Sequence, residues 1–224
     1  MFPADAPLSF SRMPSLPLIC DTSFETEAIA SGARLIAGID EVGRGALAGP
    51  VVAAAVILDL SCVPVGLNDS KKLTVAMRNK LDAEIRTTAL AFAIARVEAE
   101  EIDRINILRA TRKAMCKAIS ALQPAADYLL LDAVSLHELK LPQKSIIKGD
   151  AKSVSIAAAS IVAKVARDRW MTEYEEAFPG YGFRKNVGYG TAEHLQALRE
   201  SGPTKIHRLT FRKVLPATEQ VSLF

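Results

Sequence analysis

The sequence predicts one α/β or α+β domain, and three observations lead to that prediction. The chain has 224 residues and half of them are apolar, so it can bury a core without a metal or a disulfide to stabilise it. Short apolar runs bounded by polar residues are typical of buried strands. Segments with helical spacing then alternate with later strands, which indicates strands and helices mixed in one domain.

Five apolar runs predict strands. The first lies between Arg34 and Asp40, and the second is rich in Val and Ile. The fourth ends at Asp132, and the fifth leads into the polar sequence Lys-Gly-Asp at 148–150. The predicted strands cover residues 35–39, 50–58, 89–97, 128–131 and 145–147.

Four segments with apolar residues at helical spacing predict helices. Thr74 occupies the expected N-cap of the first. Pro124, Pro179 and Pro203 lie just beyond the other three, where proline does not continue a helix. The predicted helices cover residues 74–86, 99–122, 153–178 and 191–200.

The composition excludes several classes of protein. The 12 glycines and 11 prolines are too few for a collagen-like or globally disordered chain. The three cysteines are far apart, so they favour free thiols in a reducing cytosol over a zinc ribbon or a disulfide scaffold. The longest uncharged apolar run, 46–58, is too short to span a bilayer, so we expect a cytoplasmic protein without membrane contact.

Charge and proline content suggest how the chain is divided. Four prolines fall within the first 17 residues, so we expect residues 1–33 to form a flexible tail. We expect one compact domain over 34–214 and a second tail over 215–224. The net charge of +3 permits an anionic partner without requiring one. Residues 184–213 contain seven basic and two acidic residues, which form either a phosphate-binding surface or a solvated face.

Acidic residues follow three of the predicted strands. Asp40 and Glu41 come after the first, Asp132 ends the fourth, and Asp150 follows the fifth. Strand ends can converge at one edge of a sheet, where α/β proteins bind ligands. Clustered carboxylates repel one another unless a cation lies among them, and Mg²⁺ or Mn²⁺ matches oxygen ligands. A pair of such ions cleaves phosphodiesters, so these acids are candidate catalytic residues and metal ligands. The alternative is that each acid only caps a turn.

A glycine-rich stretch follows the first acids. Gly43, Arg44 and Gly45 begin the pattern Gly-x-Gly-x-x-Ala, which also occurs in dinucleotide-binding folds. Such folds continue into a helix, whereas Pro50 and a Val/Ile run predict a strand here, and Asp40 would repel a pyrophosphate. We therefore disfavour a dinucleotide site. The glycines still let backbone N–H groups approach a phosphate or a sugar closely.

Two further segments are candidates for substrate contacts. Asn68 and Lys71 lie in a polar turn before the helix predicted at 74–86, where lysine charge and helix N-terminal N–H groups can hold phosphate. An ordinary capped helix start is the alternative. Tyr189 lies among glycines and bases, so it either stacks on a base or sugar or fills the edge of the core.

Five stretches of the sequence are specific enough to indicate a family. The stretches are AGIDEVGRG at 37–45 with LAGPVV at 47–52, NDSKKL at 68–73, KGD at 148–150 with SIAAASIVAKVARD at 155–168, GYGT at 188–191, and GPT at 202–204 with HR at 207–208. On these stretches the chain resembles ribonuclease HII, the type 2 ribonuclease H of bacteria. The resemblance covers about residues 34 to 214, which we expect to form the catalytic domain.

The resemblance implies a ribonuclease H-like fold, with a central mixed β-sheet flanked by helices and a helical C-terminal extension. It implies cleavage of the RNA strand of RNA–DNA hybrids and incision 5′ to ribonucleotides embedded in duplex DNA. Two-metal-ion hydrolysis would leave 3′-OH and 5′-phosphate ends. The expected partners are these two nucleic acids, and we expect a monomer.

The resemblance also implies roles for the acids. The family's acids match Asp40, Glu41, Asp132 and Asp150 as ligands of Mg²⁺ or Mn²⁺. The chain departs from the family pattern directly after the third acid, where Ala133 stands in place of a common glycine.

Substrate contacts are implied in the same way. The family's Gly-Arg-Gly element, which recognises the ribose 2′-OH at an RNA–DNA junction, matches Gly43, Arg44 and Gly45. Its stacking tyrosine matches Tyr189, and its phosphate contact matches the turn at 68–71. Three rivals remain: a nuclease of the same fold acting on DNA junctions, a non-catalytic binder of hybrids, and, more remotely, a dinucleotide oxidoreductase.

Overall fold

A five-stranded mixed sheet forms the centre of the molecule. The computed structural model describes residues 20–215. The strands are β1 (Ile36–Val42), β2 (Val51–Ile57), β3 (Ala91–Val97), β4 (Tyr128–Asp132) and β5 (Gln143–Ile146). Their order is β3-β2-β1-β4-β5; β1 is antiparallel to β2 and parallel to β4, which is parallel to β5. The carboxyl ends of β1, β4 and β5 therefore lie at one edge.

Helices cover both faces of this sheet. They are α1 (Ser23–Ala30), α2 (Val75–Thr88), α3 (Ala99–Ile105), α4 (Ile107–Ser120), α5 (Val154–Ala177), α6 (Phe183–Asn186) and α7 (Ala192–Ser201). Buried side chains of α4, such as Ala114 and Met115, pack on one face, and those of α2 and α5, such as Leu81 and Ala158, pack on the other. The predicted mixed sheet flanked by helices is confirmed.

The long helix α5 lies unusually close to β1. A Cβ atom on Gly38 would overlap the backbone of Ser155, so only glycine permits this approach. Ser153 caps the helix by accepting a hydrogen bond from the Ile156 N–H at 3.2 Å. The packing aligns α5 with β1 and brings its later turns to the sheet edge that bears the acids.

One predicted helix is two helices in the structure. Asn106 interrupts the segment predicted at 99–122, with a φ of 68° in the left-handed region. Its side chain accepts a hydrogen bond from the Arg109 N–H at 3.1 Å and so caps α4. The apolar spacing continues across the break, and for that reason periodicity does not reveal it.

The predicted N-terminal tail is too long. Within residues 1–33, α1 packs on the domain, and its Glu25 is fully buried. One Glu25 carboxylate oxygen accepts hydrogen bonds from the Ser153 hydroxyl at 2.6 Å and the Ser155 N–H at 3.0 Å. A carboxylate at the first turn of α5 satisfies free N–H groups and complements the helix dipole. Residues 1–19 and 216–224 lie outside the described residues.

The C-terminal part forms a small core of its own beside the sheet. Phe183 of α6 and Leu198 of α7 pack there with Met171 of α5 and with Leu47. The predicted helical C-terminal extension is thus confirmed, and it adjoins the loop between β1 and β2. In the chain from 20 to 215, no helix is both long and apolar enough to cross a membrane.

Candidate active site

Three of the predicted acids meet at the carboxyl edge of the sheet. Asp40 lies in β1, Asp132 ends β4, and Asp150 lies in a 3₁₀ turn at Gly149–Ala151 that follows β5. Each offers a carboxylate oxygen within 4.8 Å of the other two. The Gly149 N–H donates to Asp132 at 2.7 Å, which links the ends of β4 and β5. The parallel pairing of three neighbouring strands brings these acids together.

Burial and mutual repulsion make the negative charges of this group costly. Asp40 is 4% exposed and Asp150 is 7% exposed. Burial, followed by the charges of Glu41 and Asp132, raises the pKa of Asp40 well above its ordinary value. Burial, followed by the charges of Asp69 and Asp132, also raises the pKa of Asp150. The closeness of these acids is therefore unfavourable in itself, and something must offset the repulsion between their charges.

Glu41 lies next to this group but outside it. One of its carboxylate oxygens accepts a hydrogen bond from the Arg44 guanidinium at 2.9 Å. Its other oxygen is buried and has no hydrogen-bond partner. Burial raises the pKa of Glu41 despite the opposing effect of Arg44, and the charge of Asp132 adds to the rise.

The donor set fits a hard divalent cation. Asp40, Asp132 and Asp150 present carboxylate oxygens to a common point, and Glu41 has an unpartnered buried oxygen. Oxygen ligands of this kind suit Mg²⁺ and Mn²⁺ better than softer transition metals. A cation would also relieve the repulsion that raises the carboxyl pKa values, which gives the cluster a physical reason to exist.

The glycine-containing loop beside the acids exposes unused backbone donors. Gly43 is buried with a φ of 89°, a conformation that favours glycine, and a Cβ atom there would overlap the Arg167 side chain. Among residues 20–215, the N–H groups of Arg44 and Gly45 donate to no protein acceptor. These amides are available to an oxygen of a ligand.

Two buried arginines hold this loop from beneath. The Arg167 guanidinium donates to the carbonyl oxygens of Pro50, Ala48 and Val187 at 3.0, 3.1 and 2.8 Å. The Arg208 guanidinium donates to those of Gly49 and Arg44, with its shortest bond at 2.8 Å. Both side chains are fully buried. Burial, together with the charge of Arg167, lowers the pKa of Arg208 to about 9.

Sequence reasoning did not select Arg167 as a residue of the site. The residue lies within α5, on the face that also carries Ala159, Ala163 and Met171. These four positions are spaced by four residues, so they line one side of a helix. That spacing was the available signal for its burial.

Tyr189 lies beside the glycine loop with its ring partly exposed. Its side chain is 38% exposed, and a Cβ atom on Gly45 would lie 3.9 Å from its ring. The Arg167 guanidinium lies 5.8 Å from the ring centroid. The structure therefore places the Tyr189 ring beside Gly45.

The turn that contains Asn68 and Lys71 faces the acids. Burial lowers the pKa of Lys71, but the charges of Asp69, Asp150 and other acids together raise it above its ordinary value. The Asn68 side-chain oxygen accepts a hydrogen bond from the Asp69 N–H at 2.8 Å. Asp69 is an acid of this region that sequence reasoning did not select, and its negative charge helps to raise the pKa of Asp150.

The departure from the family pattern at Ala133 has a visible geometry. Ala133 has a φ of 50°, in the left-handed region, and its N–H donates to the Ile146 carbonyl at 3.1 Å. Glycine adopts this conformation without a Cβ penalty, which explains why it is common at such a position. Asp132 nevertheless reaches the other acids, so alanine is compatible with the site.

The two histidines of the C-terminal part are not surface groups. Both His194 and His207 are buried, and their Nε2 atoms lie 3.0 Å apart. Burial lowers the pKa of His207 to about 4, with a contribution from His194. Each lies in a polar stretch of sequence, so no local pattern indicates the pairing.

Comparison with known proteins agrees with this geometry. The family model described as Ribonuclease HII matches residues 37–214. Ribonuclease HII of Bacillus subtilis strain 168 is 58% identical over 193 residues, covering 86% of this chain and 75% of that protein. Ribonuclease HII of Enterococcus faecalis is 55% identical over the same length, with the same coverage.

Solved structures share the fold. Ribonuclease H2 from Pyrococcus horikoshii OT3 superposes with a TM-score of 0.69 at 24% identity, covering 85% of this chain and 99% of that one. A structure of Bst-RNase HIII in complex with Mn²⁺ gives a TM-score of 0.64 at 20% identity, covering 88% and 72%. The match to the family model, the identity to curated relatives and the shared fold lead to one conclusion. The chain belongs to the ribonuclease HII family, and it is a metal-dependent endonuclease of the ribonuclease H type.

Proposed function

We propose that the protein cleaves the RNA strand of RNA–DNA hybrids and incises duplex DNA on the 5′ side of an embedded ribonucleotide. The convergence of Asp40, Asp132 and Asp150 within 4.8 Å supports this function most directly. Membership of the ribonuclease HII family supplies the substrate class. The exposed donors of the adjacent loop supply a means to distinguish ribose from deoxyribose.

The metal site in this proposal consists of Asp40, Glu41, Asp132 and Asp150. Two Mg²⁺ or Mn²⁺ ions, when bound there, supply a water nucleophile at neutral pH and neutralise the leaving oxygen. The Mn²⁺ complex of Bst-RNase HIII supports manganese as one of the ions accepted by this fold. Asp40 and Asp150 are buried, so their carboxylates stay close together with little solvent between them.

Recognition of the ribonucleotide is assigned to the loop and the tyrosine. The free N–H groups of Arg44 and Gly45 donate to the 2′-OH, which is the group that distinguishes RNA from DNA. Gly43 is the glycine that lets the loop lie against Arg167. Tyr189 stacks beside the deoxyribose that follows.

Lys71 is assigned to the phosphate. Its ammonium group has a raised pKa because acids surround it, so it stays charged and can bind a non-bridging oxygen. Asn68 is assigned to the same contact, in which its side-chain amide nitrogen donates to a phosphate oxygen while its Oδ1 still accepts from the Asp69 N–H.

The 2′-OH serves as a recognition group and not as the nucleophile. A cleavage that uses the 2′-OH requires a general base and acid at the phosphate, and histidine is the usual choice. His194 and His207 are bonded to each other in the C-terminal core. Hydrolysis by water then leaves 3′-OH and 5′-phosphate ends.

The proposal also covers the bounds of the catalytic domain, the oligomeric state and the location of the protein. Residues 34–214 together with α1 form the catalytic domain, because Glu25 ties α1 to the start of α5. The protein acts as a monomer on RNA–DNA hybrid and on ribonucleotide-containing duplex DNA. It acts in the cytoplasm, where a reducing environment suits its free Cys20, Cys62 and Cys116.

A labelled DNA duplex with one embedded ribonucleotide tests the proposal. The protein is incubated with this duplex in Mg²⁺ or Mn²⁺, beside an all-DNA duplex and an RNA–DNA hybrid. We expect one cut 5′ to the ribonucleotide, no cut in all-DNA, and loss of cleavage in EDTA. Equal cutting of both duplexes would indicate a related nuclease that ignores the 2′-OH. Binding without cutting in either metal would indicate a non-catalytic binder.

A further inference from the structure

A chain of hydrogen bonds runs through the C-terminal core and ends at Tyr189. The Thr204 N–H lies 2.9 Å from His207 Nδ1, and His207 Nε2 lies 3.0 Å from His194 Nε2. His194 Nδ1 then lies 2.9 Å from the carbonyl oxygen of Tyr189. Two histidines thus connect the 202–208 turn to the residue next to the glycine loop.

The two ends of this chain fix the proton on each imidazole. A backbone N–H only donates, so His207 Nδ1 must accept from Thr204, and the proton of neutral His207 is on Nε2. That Nε2–H donates to His194 Nε2, which must therefore be unprotonated. The proton of His194 is then on Nδ1, where it donates to the Tyr189 carbonyl. Only one pair of neutral tautomers satisfies all three contacts.

The surroundings favour these neutral forms. The rings of Tyr181 and Phe183 stack 5.3 Å apart, and both lie within 6.3 Å of the histidine rings, measured between centroids. Burial lowers the pKa of both His194 and His207. At neutral pH the two imidazoles therefore remain uncharged, and the direction of the hydrogen bonds is fixed.

Hydrogen bonds, and not side-chain packing, hold the backbone next to Tyr189: the Gly188 N–H donates to Asn186 Oδ1 at 2.8 Å, and the Gly188 carbonyl oxygen accepts from the Leu47 N–H at 2.8 Å. Tyr189 lies between Gly188 and Gly190, and Gly188 has a φ of 84°. Glycine on both sides leaves many backbone conformations accessible, so steric hindrance does not fix the ring. The Tyr189 N–H donates to the Asn186 carbonyl at 2.9 Å, and its carbonyl oxygen also accepts from Thr191. Among residues 20–215, His194 supplies the side-chain hydrogen bond to the Tyr189 backbone, whereas the other two bonds come from backbone groups.

We infer that His207 and His194 form a directional hydrogen-bond relay that positions Tyr189 against the ribonucleotide junction. The inference rests on the proposed function, in which Tyr189 stacks on the substrate. Neither histidine touches the substrate, so both are positioning residues. Their effect on cleavage acts through the backbone of Tyr189 and the placement of its ring.

A double-mutant cycle with matched substitutions tests the relay. His194→Gln places an amide near the Nε2 position, so it can still contact His207 but loses the bond to Tyr189. His194→Asn places an amide nitrogen near the Nδ1 position, so it keeps a donor for Tyr189. The same His→Gln change at the exposed His137 is the control. Cleavage of the duplex with one ribonucleotide is measured for each variant, alone and combined with Tyr189→Ala.

We expect His194→Gln to lower kcat/KM by about tenfold, the effect of about one lost hydrogen bond. His194→Asn should recover most of that loss, and His137→Gln should have no effect. In the Tyr189→Ala background, His194→Gln should cost little more, because the group it positions is already gone. Additive losses, or equal losses for the Gln and Asn variants of His194, would overturn the relay.

Nitrogen NMR of the wild-type protein tests the same inference without a substrate. We expect His207 as the Nε2–H tautomer and His194 as the Nδ1–H tautomer near pH 7. The opposite tautomer at His194 would overturn the relay even in an active enzyme. If the tautomers are as expected but cleavage does not depend on the 2′-OH, the proposed function fails while the hydrogen-bond chain stands. If the enzyme is active and Tyr189→Ala does not change its activity, the positioning role is overturned.

Discussion

Replacing Asp40 with Asn is predicted to abolish cleavage and to stabilise the metal-free protein at the same time. The Asp40 side chain is 4% exposed, and its oxygens lie within 4.8 Å of those of Asp132 and Asp150. Two negative charges at that separation repel by about 3 kcal/mol at an effective dielectric constant of about 20. Asparagine keeps the shape and one acceptor for the Glu41 N–H, so most of the packing survives.

The pH dependence has a definite sign. Burial and neighbouring charges raise the pKa of Asp40 in the folded protein above its ordinary value of 3.8. The folded state therefore binds more protons than the unfolded state between those two pKa values. Stability of the metal-free protein is greatest below the unfolded pKa and falls as pH rises toward the folded one. The raised pKa values of Glu41 and Asp150 act in the same direction.

Thermal unfolding in EDTA measures this effect. At pH 7 we expect Asp40→Asn to gain about 2 kcal/mol because the repulsion is partly relieved, which corresponds to about 6 °C in Tm for a domain of this size. Mg²⁺ or Mn²⁺ should raise the Tm of the wild type more than that of the variant, since the variant binds the ion less tightly. Cleavage by the variant should be undetectable.

Glu173→Gln removes a negative charge from the exposed face of α5 and serves as the control. It should leave both Tm and cleavage close to wild type, because an exposed charge is well solvated. A lower Tm for Asp40→Asn in EDTA would refute the repulsion argument. Wild-type cleavage by that variant would refute the assignment of the acids.

Three further tests, the first with a matched control substitution, address the parts of the fold that support the site. Gly43→Ala and its control Gly66→Ala both place a Cβ at positive φ, which costs about 1 kcal/mol, but only the Cβ at position 43 overlaps Arg167. We therefore expect Gly43→Ala to lose more stability in urea than Gly66→Ala, and we expect only Gly43→Ala to lose junction cleavage. Equal losses of stability in the two variants would contradict this packing. Ala133→Gly should raise the free energy of unfolding by up to about 1 kcal/mol, and an unchanged urea midpoint would mean that the φ of 50° is not strained. Glu25→Ala should lower Tm by the equivalent of about 2 kcal/mol, since two donors at the start of α5 lose their acceptor; an unchanged Tm would show that α1 does not stabilise the domain.

The sequence predicted the strands and the acids because both depend on local patterns. An apolar run followed by an acid marks the carboxyl end of a buried strand, and parallel pairing of β1, β4 and β5 then brings Asp40, Asp132 and Asp150 together. The pairing itself is a property of the whole sheet. The spacing of the acids along the chain only suggests that they converge, and the pairing of the strands in the structure is what places them together.

The features that the sequence did not predict depend on contacts between distant segments. Asn106 interrupts a helix without interrupting its apolar spacing. Glu25 is buried because it meets Ser153, 128 residues away along the chain. Arg167 is a polar residue whose partners include the backbone carbonyl of Pro50, 117 residues away, and no local pattern encodes such a partner. Buried polar residues are the hardest to predict from hydrophobic patterns, because polar residues are usually exposed.

The site combines two surfaces with opposite electrostatic preferences. Arg167 and Arg208 donate hydrogen bonds to carbonyl groups of the 44–50 loop and so turn these groups toward the protein interior. Neither arginine forms an ion pair with a carboxylate of residues 20–215, so their positive charge favours electron-rich ligands at the loop. The acid cluster at Asp40 repels the same ligands, because a phosphate is negatively charged. A duplex can therefore be recognised at the loop while its phosphate is kept from the acids until a cation offsets their charge. Under the proposed function, recognition of ribose is therefore separable from cleavage, and we expect a change at Asp40 to leave the sugar-binding loop intact.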